Sequence, residues 1–277
     1  MNQVVLHPPF SQLWAGLDPF AEVEALQGQV LRALEGRRTL RTEIDGRGYF
    51  VKIHHGVGWR EIFKNLICLR LPAFSALNEW QAIERLEHLG IDTMRMVAFG
   101  ERGRNPARRH SFIITEELAP TISLEDYCLN WSQSPPEPAL KRALITRVAW
   151  IARTMHGSWM NHRDFYLCHF LLHTDPPPAP GALQLSIIDL HRAQIHARPP
   201  APRWWHKDLA GLYFSALGIG LTRRDLLRFL RVYFNAPLRN TLRNQAELLA
   251  WLPRQAARLA KRDRRKPDPA LGRGAAS

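Results

Sequence analysis

Four residues spread along the 277-residue chain are of types that, taken together, can move a phosphoryl group. Lys52 lies in FVK, Glu79 in ALNEW, Asp164 in NHRD and Asp189 at the end of SIID. A lysine held by a glutamate can neutralise nucleotide phosphates. One aspartate can accept the proton of an attacking hydroxyl, and another can bind the Mg²⁺ that bridges phosphates. Each residue alone says little. A strand lysine is ordinarily solvated, a helix glutamate is ordinarily exposed, and a strand-ending aspartate often caps the next turn. The order is the informative part: strand lysine, helix glutamate, His-Arg-Asp, strand-ending aspartate is the working sequence of a kinase.

Those residues need a sheet, a helix and a loop to hold them. Residues 28–53 predict a three-stranded meander, QVLRALE, TLRTEI and GYFVKIH, broken by the turns EGRR and DGRG. A basic amphipathic insertion, GVGWREIFKNLICLRLPAFSA, comes next. The spacing of Leu77, Trp80, Ile83 and Leu86 predicts a helix over 77–89 that stops at Gly90. MRMVAFG and SFIITEEL add two strands around the loop ERGRNPARRH. Beyond residue 120, helical patterns dominate at about 123–131, 137–157, 208–218, 223–235 and 241–262. FLLH and LQLSIID flank a Pro-rich turn and predict a short hairpin. The expected architecture is α+β and bilobal. A mostly β lobe over 1–118 precedes a mostly α lobe over 119–262 that carries the catalytic loop, with a basic, flexible tail over 263–277.

Composition narrows the partners. Lys and Arg number 38 against 25 Asp and Glu, a formal charge of +13, which favours an anionic partner. Cys68, Cys128 and Cys168 are far apart and form no CxxC pair, so a zinc ribbon or disulfide framework is not expected. The first residues lack the basic-then-apolar pattern of a secretory signal, and no apolar run approaches 18 residues. A cytoplasmic protein with peripheral membrane contact is the expectation.

The stretches LEGRRTLR, GWREIFKNL, LRLPAFSALNEWQAI, NHRDFYLCHFLL and IIDLHRAQ make the chain resemble the lipopolysaccharide core heptose(I) kinases of Gram-negative bacteria, from about residue 20 to 235. The resemblance implies a protein-kinase-like fold and transfer of the ATP γ-phosphate to the first heptose of the lipopolysaccharide inner core. By motif match it makes Asp164 the catalytic base and Lys52 the phosphate-binding lysine. The acceptor carries acidic sugars and lipid phosphates and sits on the inner face of the inner membrane, which fits the positive charge.

Several positions depart from ordinary protein kinases. His169 stands five residues after Asp164, where those enzymes have a metal-binding asparagine. It reads either as a metal ligand or as an orienting hydrogen-bond donor. Asp189-Leu190-His191 replaces Asp-Phe-Gly, and no Ala-Pro-Glu follows, so an activation-loop switch is not expected. The glycine-rich loop is reduced to Glu35-Gly36-Arg37-Arg38. Gly36 and Arg37 can cover phosphates, and the hairpin reads equally as a solvated basic turn. The backbone near Glu117 and Leu118 is the expected adenine hinge. Asp208 reads as a tie to the catalytic loop or as a helix N-cap. The basic run from Arg254 to Lys266 suits anionic lipid, an acidic protein such as an acyl carrier protein, or plain solvent. Alternatives to the heptose acceptor are another core sugar such as Kdo, or a non-catalytic kinase-like module. Nucleic acid is not the expected partner.

Overall fold

The structure, a computed structural model, describes residues 2–34, 36–56, 76–105 and 108–264. They form two units, the described residues up to Thr121 with Ser186–Ile195, and Ile122–Leu185 with the described residues from His196 on. The insertion after the meander lies outside the described residues, as do Glu35 and the tail from residue 265.

The first unit is built on a six-stranded sheet in the order β1-β5-β6-β4-β3-β2. Its strands are β1 (Asn2–Leu6), β2 (Gln29–Leu34), β3 (Arg37–Ile44), β4 (Arg47–His54), β5 (Met96–Arg102) and β6 (His110–Glu116). The expected meander is β2–β3–β4, with Lys52 opposite Thr39 on β3 and Ile113 on β6. Side chains alternate along a strand. Val51 and Ile53 therefore face one way and Lys52 the other. The Val51 face is closed by the chain start, whose structure the sequence pattern did not suggest. Here β1 pairs antiparallel with β5, and helices α1 (Phe10–Leu13) and α2 (Pro19–Ala25) deliver Phe10, Trp14, Phe20 and Val23 to a core with Leu40, Phe112 and Ile114. Burying four such side chains contributes roughly 1.5–3 kcal/mol each. On the Lys52 face lies α3 (Leu77–His88), the expected helix, with Trp80 packed on Phe99 at 4.5 Å between ring centroids. Gly90, at φ 68°, ends it.

In the second unit the helices are α4 (Leu124–Tyr127), α5 (Pro138–Gly157), α6 (Arg203–Ser215), α7 (Arg223–Phe234), α8 (Leu238–Asn244) and α9 (Ala246–Asp263). Pro138 opens α5, where a missing N–H costs nothing. A reciprocal Thr222–Asp225 capping box opens α7. The single helix expected over 241–262 is two, because Gln245 leaves helical geometry at φ −112°, ψ 19°. Its N–H still closes α8 on Thr241, and its carbonyl accepts from Leu249 to begin α9. His173 N donates to Gln184 O at 3.1 Å across the Pro-rich turn. Between the helices lies an apolar cavity of about 290 Å³, partly open to the surface and lined by Leu144, Val148, Leu209, Leu212, Phe229 and Leu248, among others. No helix among the described residues is long and apolar enough to cross a membrane.

Candidate active site

Strand β4, helix α3 and the turn after the strand Leu185–Ile187 meet in the first unit. There Lys52 Nζ lies 2.6 Å from Glu79 Oε1 and 3.8 Å from Asp189 Oδ1. The Glu79 side chain is 1% exposed and that of Lys52 14%, so this ion pair is largely desolvated. Removing one partner of such a pair costs about 3–5 kcal/mol, because the other charge stays buried. Glu79 is also in the first turn of α3, where the helix dipole favours a carboxylate.

Asp189 is placed by the local chain. It has left-handed geometry, φ 62° and ψ 50°, and opens the short helical turn Leu190–Arg192. His191 Nδ1 donates to Asp189 Oδ1 at 2.6 Å, which fixes the carboxylate rotamer. Asn78, next to Glu79, donates its amide to the carbonyls of His191 at 3.0 Å and Ala193 at 2.8 Å. Thr93 Oγ1 donates to Ile187 O at 2.7 Å, and Ile187 N to Asp92 O at 2.9 Å. The segment 186–195 therefore belongs with Lys52 and Glu79.

Arg37, at the start of β3, adds a second cation. Burial lowers its pKa, while Glu79 and Asp189 act to raise it. Its Nε is buried without a hydrogen-bond partner. The His54 pKa is pushed down to about 3, by burial first and then by the charges of Arg37, Lys52 and His191. Gly36 precedes Arg37 at φ 74°, and a Cβ there would stand 2.6 Å from Gly56 O, so the turn requires glycine. A cluster of this kind is suited to a bound polyphosphate, and Asp189 is a carboxylate that could hold a divalent cation there.

At the expected hinge, Glu117 N–H donates to Gly48 O at 2.9 Å, and its carboxylate forms a bidentate pair with Arg41, the shortest contact being 2.7 Å. Both groups are thus committed to the fold. Leu118 O accepts from Thr121 Oγ1 at 2.7 Å.

In the second unit the loop bearing Asp164 hangs from one carboxylate. Asp208, 1% exposed, accepts the backbone N–H of His162 at 2.6 Å and of Arg163 at 2.8 Å. It lies well inside α6, so the N-cap alternative fails and the loop tie holds. His156 Nε2 is 3.3 Å from Asp208 Oδ2, and its Nδ1 pairs with Tyr233 Oη at 2.9 Å. Sequence gave no sign of His156 or Tyr233 in this chain, since both sit among the apolar residues of α5 and α7. Arg163 adopts φ 74°, a strained geometry the two bonds compensate. Gly211 lets α6 approach the loop, with its absent Cβ 3.1 Å from Phe165 O.

His169 Nδ1 donates to the Asp164 carbonyl at 2.6 Å. In the neutral ring this puts the lone pair on Nε2, the usual state of a ligating histidine whose other nitrogen binds a carbonyl. The orienting role is therefore present, and the ligand role is compatible with it.

The chain is similar to known proteins over nearly its whole length. The lipopolysaccharide kinase (Kdo/WaaP) family model matches residues 21–233. The lipopolysaccharide core heptose(I) kinase WaaP of Pseudomonas aeruginosa is 60% identical over 266 residues, covering 96% of this chain and 99% of the relative. The WaaP of Escherichia coli is 54% identical over 263 residues, covering 95% and 99%. A solved structure of WaaP in complex with acyl carrier protein superposes with a TM-score of 0.82 at 57% identity, covering 93% of this chain and 99% of that one.

Proposed function

The chain belongs to the lipopolysaccharide kinase (Kdo/WaaP) family, and from that premise we propose that it transfers the γ-phosphoryl group of ATP to the first heptose of the lipopolysaccharide inner core. The observation that carries the reading is the desolvated Lys52–Glu79 pair at 2.6 Å with Asp189 beside it. Lys52 and Arg37 bind the nucleotide phosphates, and Glu79 keeps Lys52 oriented. Mg²⁺ held by Asp189 would supply charge neutralisation on the phosphates. His191 keeps the Asp189 carboxylate in one rotamer. Asp164 orients the sugar hydroxyl and accepts its proton, while Asp208 holds the loop backbone as a positioning residue. The adenine hinge falls to the Leu118 backbone, because the Glu117 N–H is used within the sheet.

The test is phosphate incorporation from ATP into purified core lipopolysaccharide lacking inner-core phosphate. Incorporation that disappears in Asp164→Asn is the expected result. Incorporation only into a Kdo-terminated acceptor would move the assignment to another core sugar, and none into either would overturn it.

An acyl carrier protein is the proposed protein partner. Supporting this are the WaaP structure with that partner, the +13 formal charge opposite an acidic surface, and an apolar cavity of about 290 Å³ in the second unit. Arg254, Arg258, Lys261 and Arg262 on α9 offer the same attraction to anionic lipid. Co-elution with acyl carrier protein that weakens with salt, and is lost when the four are changed to Ser, would favour the protein over the lipid.

A further inference from the structure

Away from the phosphate-facing residues, three side chains of the first unit converge from three elements. Glu24 is in the last turn of α2, His55 directly follows β4, and His110 opens β6. The β4–β6 register pairs His54 with Ser111, which sets His55 beside His110 on adjacent strands. Their rings lie 4.7 Å apart at an interplanar angle of 28°. Both Nε2 atoms face one oxygen. Glu24 Oε1 is 3.1 Å from His55 Nε2 and 3.0 Å from His110 Nε2, and the three atoms lie within 4.8 Å of one another.

These separations resemble those between ligands of a tetrahedral ion. With metal–ligand bonds of about 2.0–2.1 Å, ligand atoms stand roughly 3.3 Å apart. A simple ion pair would aim an N–H at the carboxylate. Here Glu24 Oε1 and His110 Nε2 are both buried and face each other at ion-pair distance, but neither meets a partner in good N–H···O geometry. Buried polar atoms left this way call for a physical explanation, and a bound ion is one. The cations nearby are engaged elsewhere. Arg38 donates to the carbonyls of Glu24 and Leu26, each at 3.4 Å. Arg102 pairs with Asp18 at 3.2 Å and lies over the Phe20 ring.

We propose that Glu24, His55 and His110 form a two-histidine, one-carboxylate site for a borderline divalent cation, Zn²⁺ being the best match. Two imidazoles and one carboxylate suit zinc, whereas Mg²⁺ and Ca²⁺ take oxygen ligands. Three protein ligands leave one position for water, and the 46% exposure of His55 gives the ion a way in. Such an ion would clip α2 to β4 and β6. His55 stands three residues beyond Lys52, and its N–H donates to Gly36 O at 2.9 Å. The clip would thus brace the strand and turn that present Lys52 and Arg37. It is separate from the cation assigned to Asp189.

The experiment strips the full-length protein with a chelator, equilibrates it with Zn²⁺ alone, removes loose metal and measures bound zinc per chain. Wild type should retain one equivalent more than each of Glu24→Gln, His55→Gln and His110→Gln. Other histidines and carboxylates can take up zinc, so the difference is the readout. Melting in chelator, matched between wild type and variant, shows that the missing equivalent is a lost ligand. Zn²⁺ should raise the melting temperature of wild type and leave His55→Gln unmoved. Because His55 is exposed, this variant decides the matter should a buried substitution fail to fold. Equal zinc content and equal melting shifts in wild type and His55→Gln would overturn the proposal.

Discussion

In the first unit Lys52, Glu79 and Asp189 are held by opposite charges 2.6–3.8 Å apart, whereas in the second unit the Asp164 loop hangs by its backbone from a single buried carboxylate, Asp208. The two devices suit different tasks. A site for polyphosphate needs cations held in place, and opposite charges hold Lys52. The general-base role proposed for Asp164 needs a fixed position, and the N–H groups of His162 and Arg163, both bound by Asp208, fix the backbone that leads into it.

This contrast predicts that variants in the first unit act on ATP binding and stability, and variants of the loop on turnover. Asp164→Asn has the largest expected effect. It keeps the shape of the side chain, and kcat should fall by about a hundred- to ten-thousand-fold with little change in KM for ATP. Steady-state kinetics on core lipopolysaccharide measures both, and wild-type kcat would remove Asp164 from the chemistry. Next is the ion pair. Glu79→Leu alone should cost about 3–5 kcal/mol in urea unfolding, and adding Lys52→Met should restore much of it. Additive losses would mean that the pair is not coupled in the way its burial implies.

Asp208→Ala should cost about 1–3 kcal/mol for each N–H left without an acceptor, and should lower kcat while KM for ATP holds. A rise in KM for ATP as large as the loss in kcat would break the contrast between the units.

A smaller effect depends on pH. His54 binds a proton more weakly folded than unfolded, so the unfolded chain carries more protons between about pH 6.5 and 3. Its contribution to stability is complete above pH 6.5 and is lost progressively as pH falls through that window. Relative to His54→Gln, wild type should lose about 2 kcal/mol between pH 7 and pH 5, since one pKa unit corresponds to about 1.36 kcal/mol. Parallel unfolding curves for the two proteins at both pH values would contradict this. His169 gives the smallest effect. His169→Asn should retain more activity than His169→Ala, the latter losing the bond to the Asp164 carbonyl, worth about 1 kcal/mol. Equal losses would point to a role specific to imidazole.

Much of this was legible in the chain. The meander, the helix at Leu77 and the two further strands follow from alternation, turn residues and three-residue spacing, all of them local signals. The order of Lys52, Glu79, Asp164 and Asp189 carried the kinase reading, and the comparisons place the chain in a kinase family. What was missed is non-local. β1, α1 and α2 are short and depend on burying Phe10, Trp14, Phe20 and Val23 against a sheet that lies far along the chain. The break at Gln245 is a change of backbone geometry at one residue, to φ −112° and ψ 19°, which an apolar pattern running through it conceals.

The sequence by itself determined which chemical groups this protein possesses and the order in which they occur, because periodicity and turn chemistry act over a few residues. Only the tertiary structure decided which groups touch. It gathered segment 186–195 with Lys52, seated Asp208 under two backbone amides inside α6, and brought Glu24, His55 and His110 onto one point. Those contacts span tens of residues, and the burial that makes them strong comes only when the core closes around them.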